Sequence, residues 1–439
     1  MSVPIKRSHL LISAASSGGG KTTFTLGLLR LLRRRGLKVQ PFKCGPDYID
    51  PKYHRLACGT ETVNLDAFMM SREHIARLYD RYGSEADVSI VEGVMGFFDG
   101  YDRMTGSSAL LAENLRIPVL LLIHAGSTAY SVAPILYGFK HFRPGVAPVG
   151  IVFNKVGSAS HYRYLEEAAA DAGVASLGYL PKMKDLEVPS RHLGLSVEVL
   201  ARYDYLPDRV ADAIEKYVDV ERLLGLMASD VDPVIEEESF TESSLRGRKC
   251  IAMADDEAFN FTYRENIRRL ESRGRVVRFS PLRDNRLPDD CDFLYLPGGY
   301  PEFYLPALSA NESMKRSVRD YIESGGYALA ECGGMMYLCD TIRGMDGRDY
   351  PMCGVLPETA TMEGMRLHLG YRRMVYKGKE LRGHEFHYSS TIGSTPSVAQ
   401  QYNVRGEAVE TPLYRYKNLL AGYTHLYWGE HDDLWTWFD

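Results

Sequence analysis

The chain has 439 residues, 45% hydrophobic and 25% charged, with 40 glycines and 21 prolines. This is globular composition; it excludes a disordered, collagen-like or disulfide-scaffold chain, and at roughly 150 residues per domain it leaves room for two large domains or three small ones. With 52 basic against 57 acidic residues the net charge is −5, so the surface as a whole has no electrostatic surplus for gripping nucleic acid or anionic lipid, and neither is expected as a partner.

Seven cysteines, Cys44, Cys58, Cys250, Cys291, Cys332, Cys339 and Cys353, are scattered, odd in number and free of any C-x-x-C pair. That argues against a zinc or redox site and for a reducing, cytoplasmic setting. The most apolar run, residues 119–123 with their flanks, is far short of the roughly 20 residues that span a bilayer. Lys6-Arg7 and the apolar residues after them imitate a secretory leader, but cleavage there would destroy the glycine-rich loop at 16–23, so secretion is rejected.

In chain order, strands are predicted at residues 9–15, 39–43, 88–94, 119–125 and 149–156, with helices between them at 22–35, 71–82, 107–114, 129–141 and 162–172. Strands apolar along their whole length, alternating with helices, indicate a parallel sheet covered on both faces. The pattern decays after about residue 225. The acidic, Ser-rich segment 231–248 reads as a linker between a first domain, 1–230, and a second, 249–439. In the second, strands are predicted at 250–254, 276–279, 293–296 and 327–330 and helices at 263–273 and 312–324, followed by a strand-rich final hundred residues.

Ala15-Ser16-Ser17-Gly18-Gly19-Gly20-Lys21-Thr22 fits G-x-x-x-x-G-K-[ST] except for Ala15 in the first glycine position. It follows a predicted strand and opens a predicted helix. In that setting the amides of Gly18, Gly19 and Gly20 cradle phosphate oxygens, Lys21 reaches the β- and γ-phosphates, Thr22 ligates Mg²⁺, and Thr23 lies in the same turn. Glu92, at the end of the strand 88–94, is a candidate second Mg²⁺ ligand at the same sheet edge. The stretch Lys43-Cys44-Gly45-Pro46-Asp47-Tyr48-Ile49-Asp50-Pro51 reads as a loop that adds Asp47 as a metal ligand and Asp50 as a reacting-group partner, with Asp99 in the same role. Asn154, at the end of 149–156, can meet an adenine edge with its amide.

In the second half, Glu331-Cys332-Gly333-Gly334 follows a strand and precedes a helix-like segment. This is the thiol counterpart of a nucleophile elbow, in which a helix N-terminus lowers the thiol pKa. Gly298 and Gly299, with Gly333, supply amides for an oxyanion hole. His425, placed in a terminal strand 420–428, is the candidate base. In His384-Glu385-Phe386-His387 alternate residues face opposite sides of a strand, so a shared metal is not expected.

Taken together, the loop at 17–23, Lys43-x-Gly45-Pro46-Asp47-Tyr48-Ile49-Asp50-Pro51-x-x-His54, Val91-Glu92-Gly93-Val94-Met95-Gly96-x-x-Asp99-Gly100, Pro297-Gly298-Gly299-Tyr300, Cys332-Gly333-Gly334, Gly383-His384-Glu385-Phe386-His387-Tyr388-Ser389 and Thr424-His425-Leu426 closely resemble the cobyrinic acid a,c-diamide synthase family over nearly the whole chain. The resemblance implies an α/β protein: a P-loop, dethiobiotin-synthetase-like parallel-sheet domain followed by a class I glutamine amidotransferase-like domain. It also implies amidation of the a and c acetates of a corrinoid through acyl phosphates, with glutamine and ATP–Mg²⁺; a homodimer is left open. Two departures stand out. Ser16 is not the lysine of partitioning ATPases, and Tyr427 stands two residues after His425 where most class I glutaminases have Glu. The competing readings are the same amidation on Ni-sirohydrochlorin or hydrogenobyrinic acid, and a regulatory P-loop ATPase whose glutaminase domain has decayed.

Overall fold

The computed structural model describes residues 5–183, 204–231 and 250–438. The chain divides into two compact units, Met1–Glu237 and Glu238–Asp439. The linker expected at 231–248 lies outside the described residues except for Val231.

In the first unit the strands are β1 (Ile5–Ala14), β2 (Val39–Cys44), β3 (Val63–Leu65), β4 (Val88–Glu92), β5 (Val119–His124), β6 (Gly150–Val156), β7 (Ser176–Pro181) and β8 (Ala228–Val231). They form one sheet in the order β3-β2-β4-β1-β5-β6-β7, parallel throughout, with β8 antiparallel to the start of β1. Leu10, Leu11 and Ile12 in β1 and Leu120 and Leu121 in β5 have no solvent exposure. Each such side chain contributes about 1.5–3 kcal/mol on burial, which is why unbroken apolar runs become central strands. Val231, expected to begin the linker, instead pairs with Ile5, next to the pairing of Asp230 with Lys6.

The helices of this unit are α1 (Lys21–Arg34), α2 (Asp50–Cys58), α3 (Arg72–Gly83), α4 (Ser108–Leu115), α5 (Ala133–His141), α6 (Ala159–Asp171), α7 (Tyr205–Tyr217) and α8 (Val220–Leu226). Side-chain caps set several starts: Ser71 accepts from His74 N, Ser107 from Leu110 N and Ser158 from His161 N. The Ser158 cap explains why α6 begins three residues before the expected 162. The helix expected to start at 129 begins as a 3₁₀ turn, Tyr130–Val132. The largest correction is α2, because the supposed loop after Lys43 becomes helical at Asp50. The Asp47 carboxylate accepts from Ile49 N (2.8 Å) and Asp50 N (3.0 Å), Pro51 suits the first turn, and Gly59 ends the helix at φ 82°.

The second unit holds β9 (Cys250–Ala254), β10 (Arg275–Phe279), β11 (Cys291–Leu296), β12 (Tyr327–Glu331), β13 (Cys339–Arg343), β14 (Asp349–Pro351), β15 (Leu356–Thr361), β16 (His368–Tyr376), β17 (Lys379–His387), β18 (Ser390–Ile392), β19 (Gln400–Tyr402), β20 (Ala408–Val409), β21 (Leu413–Tyr416), β22 (Leu419–Gly422) and β23 (His425–Tyr427). Its helices are α9 (Arg264–Glu271), α10 (Leu305–Ala310), α11 (Glu312–Glu323), α12 (Gly333–Leu338) and α13 (Asp433–Thr436). The main sheet runs β10-β9-β11-β12-β22-β21, parallel except for β21; two antiparallel-rich sheets, β14-β13-β15-β18 and β20-β19-β16-β17-β23, complete the unit. One apolar cluster includes Leu294, Ala330, Cys332 and Met335, and another includes Tyr295, Leu329, Leu426 and Trp428. The terminal strand expected at 420–428 is in fact two strands in two sheets. After Gly422 the chain leaves β12, and His425 pairs with His384 of β17.

Candidate active sites

At the C-terminal edge of the first sheet, β1 runs into the phosphate loop and α1. Gly20 adopts φ 98°, and a Cβ there would also collide with the Asn154 amide, so both backbone and space demand glycine. The helix has neither a side-chain cap nor an acid in its first turn, leaving its N-terminal amides to an anion. Lys21 Nζ donates to Ser16 O (3.3 Å) and to Met95 O. Gly18 is exposed, Gly19 buried, and Thr22 and Thr23 half-buried.

Thr22 and Glu92 come together as expected from their positions, the Thr22 hydroxyl donating to Glu92 Oε1 at 2.7 Å. The sequence did not disclose how Glu92 is held. Lys43 Nζ lies 2.9 Å from Glu92 Oε1 and 2.6 Å from Asp50 Oδ2, while His54 Nε2 lies 2.6 Å from Glu92 Oε2. Lys43, Asp50, His54 and Glu92 are all buried. Burial alone would raise the Glu92 pKa, but Lys43 first and then His54 hold the carboxyl well below its ordinary range. Lys43 and His54 are functional candidates to which the sequence motifs assign no role. A lysine ending a buried strand near two acids was the available signal.

Asp47 is half-buried, with Oδ1 turned to the start of α2. Asp99 is exposed and accepts from Gly96 N at 3.0 Å, bracing its own turn. Asn154 Nδ2 donates to Gly19 O (3.0 Å) and its Oδ1 accepts from Lys155 N (2.8 Å), so its amide leans on the phosphate loop. Among the described residues no group of three or more His, Cys, Asp or Glu is placed to hold a metal. The hydroxyl of Thr22 and the carboxylate of Glu92 are hard oxygen donors that suit Mg²⁺ only alongside phosphate oxygens and water.

In the second unit, Cys332 sits at φ 46° and ψ −108° between β12 and α12, the strained elbow geometry expected of a strand-end nucleophile. Its N–H donates to Gly422 O (2.7 Å). The expected lowering of the thiol pKa is overturned: burial pushes it well up, Glu302 adds to this, and the Gly333 amide opposes too weakly. A six-residue helix offers little dipole against full desolvation.

The glycines and His425 meet around this elbow. A Cβ on Gly333 would lie 3.2 Å from Gly299 N, and one on Gly298 would strike the His425 ring. Gly298 O accepts from Asn260 N (2.9 Å) and Phe261 N (3.0 Å), which fixes the loop. His425 has no solvent exposure, and burial, followed by His384 and His387, lowers its pKa to about 3, so the ring is neutral at physiological pH. Tyr427 packs edge-on to Tyr263 at 5.6 Å. Glu385 is bound by Arg372, by His387 (3.2 Å) and by Thr411 (2.9 Å).

Comparison with known proteins agrees with this division. Residues 10–195 match the family model of the CobQ/CobB/MinD/ParA nucleotide binding domain, and residues 250–433 that of the CobB/CobQ-like glutamine amidotransferase domain. The chain is 39% identical over 430 residues to a cobyrinate a,c-diamide synthase of Caldanaerobacter subterraneus subsp. tengcongensis, spanning 95% of this chain and 94% of that relative. It is 38% identical to enzymes of the same name from Priestia megaterium, spanning 96% and 94%, and Salmonella typhimurium, spanning 98% and 97%. A phosphate-loop unit and a cysteine-elbow unit, matched end to end by these relatives, place the chain in the cobyrinate a,c-diamide synthase family.

Proposed function

We propose that the protein converts the a and c acetate carboxylates of cobyrinic acid into carboxamides with ATP and glutamine, in cobalamin biosynthesis. The observation that carries this reading is the presence in one chain of the Thr22–Glu92 pair beside a phosphate loop and of Cys332 in a strained elbow whose next residue, Gly333, abuts Gly299 while Gly298 abuts the His425 ring.

The chemistry fits these parts. A carboxylate is a poor acyl donor, so one of its oxygens first attacks the γ-phosphorus and ADP leaves. Lys21 and the Gly18–Gly20 amides would neutralise the transferring charge. Thr22 and Glu92, with Asp47, would hold Mg²⁺, which when bound supplies further charge neutralisation at the β- and γ-phosphates. Ammonia then attacks the acyl carbon, phosphate leaves, and the amine sheds a proton. Asp50 or Asp99 would orient the incoming ammonia or take that proton. Asp50→Asn or Asp99→Asn should then stall product at the monoamide with ATP affinity little changed; wild-type diamide yield from both variants would remove the role.

In the second unit His425 would take the Cys332 thiol proton as sulfur attacks the glutamine amide, and return it to the departing ammonia. The oxyanion would meet the amides of Gly298, Gly299 and Gly333, and water would release glutamate from the thioester. Ammonium dominates at neutral pH and is not nucleophilic, which favours making ammonia on the same chain. A cytoplasmic location suits an ATP-consuming enzyme with no disulfide among its described cysteines.

The test is incubation with ATP, glutamine and, separately, cobyrinic acid, hydrogenobyrinic acid and Ni-sirohydrochlorin. Mass spectrometry then counts hydroxyl-to-amine exchanges. Two exchanges on cobyrinic acid support the reading; none there, with turnover of another ring, redirects it.

A further inference from the structure

His425 lies on β23, the edge strand of the five-stranded sheet, whereas Cys332 follows β12 of the main sheet. Catalysis by this pair requires the two sheets to stay in register, yet among the described residues β23 has only β17 as a ladder neighbour. The outward side of β23 is met by side chains. Leu426 N donates to Glu331 Oε1 (3.0 Å), Leu426 O accepts from Asn266 Nδ2 (2.8 Å), and Trp428 N donates to Asn266 Oδ1 (3.0 Å). These three bonds reproduce what an adjacent strand would offer. Glu331 is the residue before Cys332, and its second oxygen accepts from the Tyr295 hydroxyl at 2.7 Å. Glu331 and Asn266 are 2% and 1% exposed.

We propose that Glu331 and Asn266 are positioning residues of the glutaminase: they act as a surrogate strand that fixes the peptide after His425 and so sets the ring against Cys332. This rests on the reading of Cys332 and His425 as the glutaminase pair. It accounts for a family feature that the sequence leaves unexplained, Tyr427 in place of the carboxylate that orients the histidine in most class I glutaminases. Here orientation comes through the backbone on both sides of Leu426. The carboxylate that supplies it belongs to the nucleophile's own strand, so the Cys and His strands are tied by one side chain.

The test uses the full chain and measures glutamine-driven kcat and KM, ammonium-driven amidation and thermal unfolding. Glu331→Leu and Asn266→Asp, the latter unable to donate to Leu426 O, should each lower glutamine-driven kcat by about ten- to a hundredfold with KM for glutamine within about twofold, the signature of a displaced base. Ammonium-driven amidation should be unchanged. Glu331→Gln, whose carbonyl still accepts from Leu426 N, should recover most of the rate. Wild-type kcat in Glu331→Leu and Asn266→Asp would overturn the proposal, as would equal loss of kcat, KM and unfolding temperature in all three variants. Cys332→Ala separates the two layers: if it still uses glutamine, the underlying glutaminase reading fails; if it does not and the three variants are normal, only the positioning role fails.

Discussion

Two buried carboxylates each end a strand of the main sheet of their unit, Glu92 on β4 and Glu331 on β12, and they are held in opposite ways. Glu92 meets Lys43 and His54 as well as the Thr22 hydroxyl, and its carboxyl stays well below the ordinary range despite full burial. Glu331 meets the Leu426 amide and the Tyr295 hydroxyl, and burial pushes it up to about 7. Depth is the same; partner charge decides the outcome. Glu92 is kept anionic where nucleotide phosphates and a cation would gather, while Glu331 serves backbone geometry.

The largest effects should come from unbalancing the charged group. Lys43→Ala leaves Asp50 and Glu92 buried without their shared cation. Breaking such a pair costs about 3–5 kcal/mol, read as a lower denaturation midpoint. Glu92→Gln should lower amidation from glutamine and from ammonium alike by two to three orders of magnitude, about 3–4 kcal/mol, since activation of the carboxylate precedes either nitrogen source. A normal midpoint for Lys43→Ala, or a Glu92→Gln defect confined to glutamine, would break the contrast between the units.

A smaller effect is expected at Asn154. If its amide reads the adenine edge, Asn154→Ala should weaken discrimination of ATP over GTP. If its bond to Gly19 O is its whole contribution, both nucleotides should weaken together with the preference unchanged.

A further effect tests the contrast through pH. The folded state raises the Glu331 pKa from 4.5 to about 7, so the stability gained from its protonated form is fully present below 4.5 and lost as pH rises to about 7. Unfolding free energies of wild type and Glu331→Gln, measured across that window, should therefore diverge, with wild type losing ground as pH increases. Parallel curves would contradict the burial-driven shift.

The contrast also explains what was legible in the sequence. Strand β9 was read to the residue, Cys250–Ala254, and the phosphate loop and elbow were placed because each depends on local signals, glycines between a strand and a helix. Helix α2 was lost although Asp47, Pro51 and Gly59 all marked it, because two prolines near Lys43 favoured a loop. The break at Tyr423-Thr424 was invisible because apolar character continues across it while the pairing partner changes from β12 to β17. The thiol pKa was misjudged because burial is a tertiary quantity. Lys43, His54, Asn266 and Glu331 escape assignment for the same reason: Glu92, which meets the first two, and Leu426, which meets the last two, lie tens of residues or more away in sequence.

In the proposed division of labour one unit activates a carboxylate while the other only supplies ammonia. Cys332→Ala, assayed with cobyrinic acid and ATP, tests it most directly. Amidation from glutamine should disappear while amidation from concentrated ammonium salt continues at the wild-type rate; loss of both in a folded variant, or persistence of glutamine use, would refute this division of labour.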